Sequence, residues 1–341
     1  MKVKRILNQK SERVAFLRQL RGQGVSLRLR PVCLLICLLF ALFLGGCHTM
    51  RLSQALPESI PRFEAPPEGI KIAVVLGGGG SKGLAHVGVL KELEQVGIYP
   101  DLIVGCSSGA VIGALYADQP HIERLEKILI QLKRSDLMDI SIFFSKFGVV
   151  KGALFKAFLD RHLKAKKFED LQIPFIAVAT DLKTGELVEF GKGDIVSPVT
   201  ASSSVPGVFN PVYYRGRYLV DGGVVDPIPV KVAKKYGARV VIAVDVGEDL
   251  SNKEPSHFFD VARRGLEISH RKLCEYVAQD ADIIIRMNFQ GLGMFSDSYN
   301  QEIYEHGRKM TRLMLPKIEQ VIQERLLFTE EKPSPSLMKM E

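Results

Sequence analysis

Along most of the chain, short runs of β-branched and apolar residues alternate with segments whose apolar positions recur at helical spacing. Residues 70–76 read as a buried strand, and the glycine run Gly77–Gly80 follows it. From about 83 to 96, Leu84, Val87, Leu90 and Leu93 fall three apart, which predicts an amphipathic helix that Gly97 ends. Residues 102–104 predict the next strand, and a second helix is expected from Ser108 through Ala117. Amphipathic helices are expected over 121–132 and 151–163, with an aromatic-rich segment at 142–147 between them. Residues 174–180 and 186–190 read as strands around the turn Lys183-Thr184-Gly185. A short helix at 194–203, a strand at 218–220, a helix at 230–236 and a strand at 239–246 follow. A helix over about 257–279, a strand at 283–285 and a long helix through about 325 complete the pattern. Alternating strands and helices predict a mainly parallel central sheet with right-handed crossovers, flanked by helices as a three-layer α/β/α domain. No internal repeat or linker divides residues 70–328, so one domain is expected there.

The two ends read differently. Residues 1–46 carry nine Lys or Arg and one acid, and include the apolar run 32–44. That run is too short for a bilayer span of about 20 residues and suits the apolar part of a secretory leader. It closes on Leu44-Gly45-Gly46-Cys47, which resembles the lipobox of bacterial lipoproteins. The resemblance implies cleavage before Cys47 and lipidation of that cysteine. With His48 rather than aspartate after it, the resemblance also implies attachment at the outer membrane, facing the periplasm. The basic segment is long for such a leader, which favours a translation start downstream of Met1. Residues 47–69, with Pro57, Pro61, Pro66 and Pro67, read as a tether. Residues 329–341 are polar and read as a disordered tail.

Removing the leader changes what the charge means. The whole chain has 46 basic and 38 acidic residues and a net charge of +8, yet 37 of each remain after residue 46. A nucleic-acid partner needs a basic face on the folded domain, so that class is not expected. Cysteine usage adds little. Cys106 and Cys274 are the pair left beyond the leader and Cys47, too few for a disulfide framework, and no Cys/His cluster has metal-ligand spacing. No loop of calcium-binding pattern is present either, so neither metal nor cofactor is expected.

Three short motifs carry the chemistry. Gly105-Cys106-Ser107-Ser108-Gly109 lies between a predicted strand and a predicted helix, the context in which a G-x-S-x-G turn exposes a nucleophile. A serine capping the helix is the alternative there. Gly77-Gly78-Gly79-Gly80-Ser81-Lys82-Gly83 also joins a strand to a helix. It fails the P-loop pattern because glycine follows the lysine, and it lacks the acidic residue of a dinucleotide site. Backbone N–H groups serving an oxyanion fit it best, since the next parallel strand delivers Ser107 to the same sheet edge. Asp221-Gly222-Gly223 closes a strand and, on its own, is an ordinary turn.

Taken together, Gly78–Gly83, Gly105–Gly109 and Asp221–Gly223 resemble the patatin-like phospholipase family. The similarity extends through 83–90, 113–117 and 201–209, and spans about 70–250. It implies a serine acyl hydrolase working by a Ser–Asp dyad without histidine. Ser107 would be the nucleophile and Asp221 the base. Gly78, Gly79 and Gly80, with Lys82 nearby, would serve the oxyanion, and Gly83, Gly105, Gly109, Gly222 and Gly223 would complete the motifs. The implied substrate is membrane phospholipid or lysophospholipid. A thioesterase or carboxylesterase with the same dyad, and a silent acyl-binding lipoprotein, are the alternatives. His257, His270 and His306 follow Asp221 in the order a triad would need, but none sits in a strand-end loop, and His86 reads as packing. Phe143, Phe144, Phe147, Phe155 and Phe158 are candidates for an acyl groove or for plain helix core. The sequence leaves the oligomeric state open.

Overall fold

The computed structural model describes residues 57–140, 147–247, 250, 254–289 and 299–327. The leader, Cys47, most of the tether, the 329–341 tail, Phe143 and Phe144 lie outside the described residues.

Ten strands are defined among them: β1 (Ile72–Leu76), β2 (Leu102–Cys106), β3 (Gly148–Val150), β4 (Phe175–Asp181), β5 (Leu187–Phe190), β6 (Gly207–Phe209), β7 (Val212–Tyr214), β8 (Arg217–Asp221), β9 (Val240–Asp245) and β10 (Ile283–Arg286). The helices are α1 (Leu84–Gln95), α2 (Ser108–Asp118), α3 (Ile122–Leu129), α4 (Ala153–His162), α5 (Val196–Ser202), α6 (Val230–Lys235), α7 (Phe258–Ala278) and α8 (Asn300–Ile322). The main sheet runs β10-β9-β1-β2-β4-β8-β7, with β5 added to β4. From β10 to β4 every neighbour is parallel. These strands read as continuous apolar runs because both their faces are covered. Val74, Leu76, Ile103, Ile242 and Val244 face a layer with α1, α2 and α8. Ala73, Val75, Val104, Val241 and Ala243 face α6 and the end of α7. That alternation builds the three-layer α/β/α arrangement.

One end of the sheet is antiparallel, which the sequence pattern did not indicate. Strands β7 and β8 form a hairpin through Arg215 and Gly216, both at positive φ (47° and 78°), a two-residue turn whose twist matches the strands it joins. The three-residue strands β3, β6 and β7 went unpredicted because they are too short to show a period, and β3 and β6 form a small separate sheet.

The pairing around β4 positions the site. Ala177 of β4 partners Gly105 of β2 and Phe190 of β5, so β2 and β5 lie on opposite edges. Ala179 partners Val188 of β5 and Asp221 of β8, so β8 also lies opposite β5. Strands β2 and β8 therefore share one edge of β4, one parallel to it and the other antiparallel, and their tips meet. Cys106 is opposite Val178 and Asp221 is opposite Ala179.

The C-terminal helix is locked to the first. A Cβ on Gly88 of α1 would stand 2.3 Å from the Tyr304 carbonyl oxygen, and one on Gly307 of α8 would stand 2.2 Å from that of Ala85. The two helices thus cross at backbone contact. Beside the crossing, the buried carboxylate of Glu92 accepts from Arg308 Nε at 2.7 Å and from Arg312 Nε and Nη2 at 2.8 Å.

Candidate active site

Ser107 sits between the tip of β2 and the start of α2 with φ 54° and ψ −124°, a conformation that costs a non-glycine residue about 1–3 kcal/mol. Its surroundings hold it there. The Ser107 N–H donates to Ser202 Oγ at 3.0 Å, and Ser203 Oγ donates to the Ser107 carbonyl at 3.1 Å. The turn is so tight that a Cβ on Gly109 would stand 2.0 Å from the Leu76 carbonyl oxygen. Gly105 packs against Ala110, and Gly83 against the Ser108 side chain.

The meeting of β2 and β8 brings the serine to the aspartate. Ser107 Oγ donates to Asp221 Oδ2 at 2.6 Å, and no imidazole intervenes. Asp221 Oδ1 accepts from the Gly223 N–H at 2.7 Å and faces Cys106 Sγ at 3.9 Å. The Asp221 main chain is pinned as well: its N–H donates to Ser204 O at 2.9 Å and its carbonyl accepts from Thr180 Oγ1 at 2.9 Å. Gly222 packs on Val178 and Cys106. Both Ser107 and Asp221 are buried. Burial pushes the Asp221 carboxyl up to about 6, against the pull of hydrogen bonds from Ser107, Gly223 and Cys106. A carboxylate whose proton affinity approaches neutrality, touching a hydroxyl, is arranged for proton transfer.

The glycine loop lies alongside. Gly78 abuts Ser107, since a Cβ there would stand 3.1 Å from the Ser107 Cβ. The Gly78 N–H, however, donates to Pro227 O at 3.0 Å, and the Gly77 N–H donates to Val244 O at 3.1 Å. Gly79 and Gly80 come next, at the opening of a 3-10 turn over Gly80–Gly83, where N–H groups have no helical partner. The Gly78 amide is thus engaged within the protein, while Gly79 and Gly80 open the turn. Lys82 is 1% exposed, and its N–H donates to Gly79 O at 3.3 Å. Gly80, Ser81 and Gly83 line the neighbouring cavity and Lys82 does not, because successive positions of a tight turn point in different directions.

His86 has a clearer part than packing. Its Nε2 bonds the Gly77 carbonyl at 2.8 Å, and burial lowers its pKa to about 4, so the ring is neutral and donates from Nε2. This bond ties α1 to the root of the loop. The other histidines stand elsewhere. His257 pairs with Asp260, His306 packs on Phe289, and His270 lies beside Gly223 with its Nδ1 3.7 Å from Cys274 Sγ.

A cavity of about 170 Å³ opens at Ser107. Its walls are mainly apolar, with Leu84, Val111, Ile112, Leu129, Phe155 and Phe209, while Lys133, Arg134 and Asn300 add polar groups. Phe155 meets Phe209 edge to face at 6.0 Å, and Phe158 is buried against His162 instead. Phe147 is exposed.

Residues 74–234 match the patatin-like phospholipase family model. Over that span, a little under half of the chain, it is similar to that family. It is 34% identical over 187 residues to patatin-like phospholipase domain-containing protein 6 of Mus musculus, an alignment covering 52% of this chain and 14% of that protein. It is 30% identical over 217 residues to lysophospholipase NTE1 of Debaryomyces hansenii, covering 62% of this chain and again 14% of the relative. The chain thus spans about a seventh of the length of these relatives. Among solved structures it resembles VipD from Legionella pneumophila, with a TM-score of 0.50 at 13% identity over 82% of this chain and 73% of that one.

Within the matched span, the sequence did not reveal what Ser202, Ser203 and Ser204 do. All three bond the main chain of Ser107 or Asp221. Their only signal was membership of a serine-rich block between two strands. Strands β9 and β10 and helix α8 lie beyond the matched span, yet β9 pairs with β1 and holds the Gly77 amide.

Proposed function

We propose that the protein is a serine lipid acyl hydrolase that cleaves carboxylic ester bonds of phospholipids or lysophospholipids through an acyl-enzyme. The observation that carries this reading is the 2.6 Å contact between Ser107 Oγ and Asp221 Oδ2 at the mouth of an apolar cavity. The names of the relatives, a phospholipase-domain protein and a lysophospholipase, support the same class.

In this mechanism the acyl chain lies along the apolar walls with its carbonyl carbon above Ser107. Asp221 takes the serine proton as Oγ attacks, and the carbonyl oxygen gains its charge beside the Gly79 and Gly80 amides. Each such donor contributes about 2.7–4 kcal/mol in comparable sites. Collapse breaks the ester bond, and the departing alcohol takes the proton from Asp221. Water then gives a proton to Asp221 as it attacks the acyl-serine, and on collapse Asp221 returns that proton to Ser107 Oγ as the fatty acid leaves. The raised proton affinity of Asp221 makes it a stronger base than a solvated carboxylate. Lys133 and Arg134 at the cavity suit a phosphate-bearing substrate over a neutral ester.

A fluorophosphonate probe tests the nucleophile: labelling should be lost in Ser107→Ala. Incubation with mixed phospholipid vesicles should release fatty acid, and absence of both signals in the wild type would sink the proposal. Faster turnover of acyl thioesters or short carboxylic esters than of phospholipid would move the substrate class. We also propose that Cys47 carries lipid and holds the domain at the outer membrane, facing the periplasm. Cys47→Ser should then shift the protein out of the membrane fraction.

A further inference from the structure

Helix α7 carries its polarity the wrong way round for a helix that only packs. Along its first three turns, Phe258, Phe259 and Leu266 are 76%, 75% and 74% exposed, and Val261 and Ile268 are exposed with them. Asp260, Arg264 and Glu267 lie on the opposite, half-buried side. Those charges are matched among themselves, Arg263 with Glu267 and Asp260, and Arg264 with Glu267 at 3.3 Å. Arg263 is itself exposed but paired, so the solvent-facing side is mainly apolar and carries no net charge.

Its location is set by topology. Arg271 of α7 grips Asp245, the last residue of β9, with Nη2 2.7 Å from Oδ2. Strand β9 is parallel to β1, and β1 to β2, so Asp245 and Ser107 end on the same edge of the sheet. The helix runs back from that edge towards β10, so residues 258–270 stand beyond it, about 20 Å of helix at 1.5 Å per residue. His270 closes the gap to the site: its Nε2 lies 3.8 Å from where a Cβ on Gly223 would stand. Val224, next to Gly223, is also exposed, and so are Ile140 and Leu154, which neighbour the cavity residues Met138 and Phe155 in the chain.

We infer that the projecting turns of α7 are an interfacial docking helix, which lays Phe258, Phe259, Val261 and Leu266 into the surface of a phospholipid bilayer and sets the mouth at Ser107 against it. An apolar stripe without net charge fits hydrocarbon better than a nucleic acid or an acidic protein. Its place beside the dyad gives it a reason to meet lipid. The inference rests on the phospholipid reading of that site.

The chain contains no tryptophan, so one introduced indole reports its own surroundings. In full-length Ser107→Ala protein, Phe259→Trp should shift its emission to the blue on addition of phosphatidylcholine vesicles and be quenched by brominated acyl chains. Tyr99→Trp, just before β2 at the opposite sheet edge, should do neither. In the Ser107 background, combined Phe258→Asp, Phe259→Asp and Leu266→Asp should lower vesicle hydrolysis on the order of 100-fold. Turnover of monomeric p-nitrophenyl butyrate should be unchanged. An unshifted, unquenched reporter at 259, or equal vesicle hydrolysis by the triple variant, overturns the docking helix even if phospholipid is hydrolysed. A quenched reporter in a protein that releases no fatty acid keeps the docking helix and removes the phospholipase reading. If the triple substitution turns a dimer into a monomer while vesicle hydrolysis persists, a second copy covers this face and the inference is wrong.

Discussion

Replacing Asp221 by asparagine should abolish turnover and stabilise the fold, with a pH dependence that identifies the cause. In the folded protein the carboxyl keeps its proton up to about pH 6, whereas its ordinary value is 3.8. Below 3.8 the group is neutral in both the folded and unfolded chain and contributes no difference. Between 3.8 and 6 the unfolded chain gives up the proton that the buried carboxyl keeps, so stability falls with rising pH. Above 6 the native state holds a desolvated charge and the loss is complete. The gap between the two values corresponds to about 3 kcal/mol. Asparagine keeps the shape: its Oδ1 can still accept from Gly223, and its amide can donate to Ser107 Oγ, which is free to rotate its own hydrogen. Urea unfolding followed by far-UV circular dichroism, run on both proteins from pH 4 to pH 8, measures the difference. It should be near zero at pH 4 and reach about 3 kcal/mol in favour of the variant above pH 7. In wild type, kcat/KM should rise through about pH 6 as Asp221 loses its proton. A stability difference that stays flat with pH, or an asparagine variant less stable than wild type at pH 8, would refute the account of a buried charge.

The strain at Ser107 predicts that Ser107→Gly is more stable than Ser107→Ala by about 1–3 kcal/mol, read by thermal or urea unfolding. Ser202→Ala removes the acceptor of the Ser107 N–H; stability should fall by about 1–3 kcal/mol, and kcat should drop more than KM rises. Gly307→Ala drives a methyl into the Ala85 carbonyl and should cost about 1–3 kcal/mol, with hydrogen-exchange protection lost first in α8 and α1.

The elbow was legible because its meaning is local. A strand, a G-x-S-x-G turn and a helix occupy consecutive residues, and the positive φ of Ser107 follows from that sequence of elements. Asp221 was different. Nothing within ten residues of it reports that β8 turns antiparallel and shares an edge of β4 with β2, so its role came from resemblance until the pairing showed the contact. The glycine loop fell between these cases. Its row of N–H groups is visible in the glycine run, but the Gly78 amide is occupied by Pro227, a partner about 150 positions away that no spacing rule predicts. The long C-terminal helix was visible as a period. Its seat on α1 depends on Gly88 and Gly307, each an ordinary glycine in the sequence.

Strands β2 and β8 meet end to end, so no ladder of hydrogen bonds runs between them. Along the sheet their separation is set by the spacing of Val178 and Ala179 in β4, and Ser202–Ser204 bridge the two tips from outside it. That makes one peptide link of β4, a strand that holds neither Ser107 nor Asp221, a gauge of the centre. One residue inserted there would part Ser107 from Asp221 by about 3.3 Å, more than a hydrogen bond can absorb. The turn at Lys183–Gly185, a few residues on, could lengthen without moving either tip. Length changes in this gene should therefore be absent at one position of β4 and common just beyond it, a scar of selection that a scan of single-residue insertions would expose.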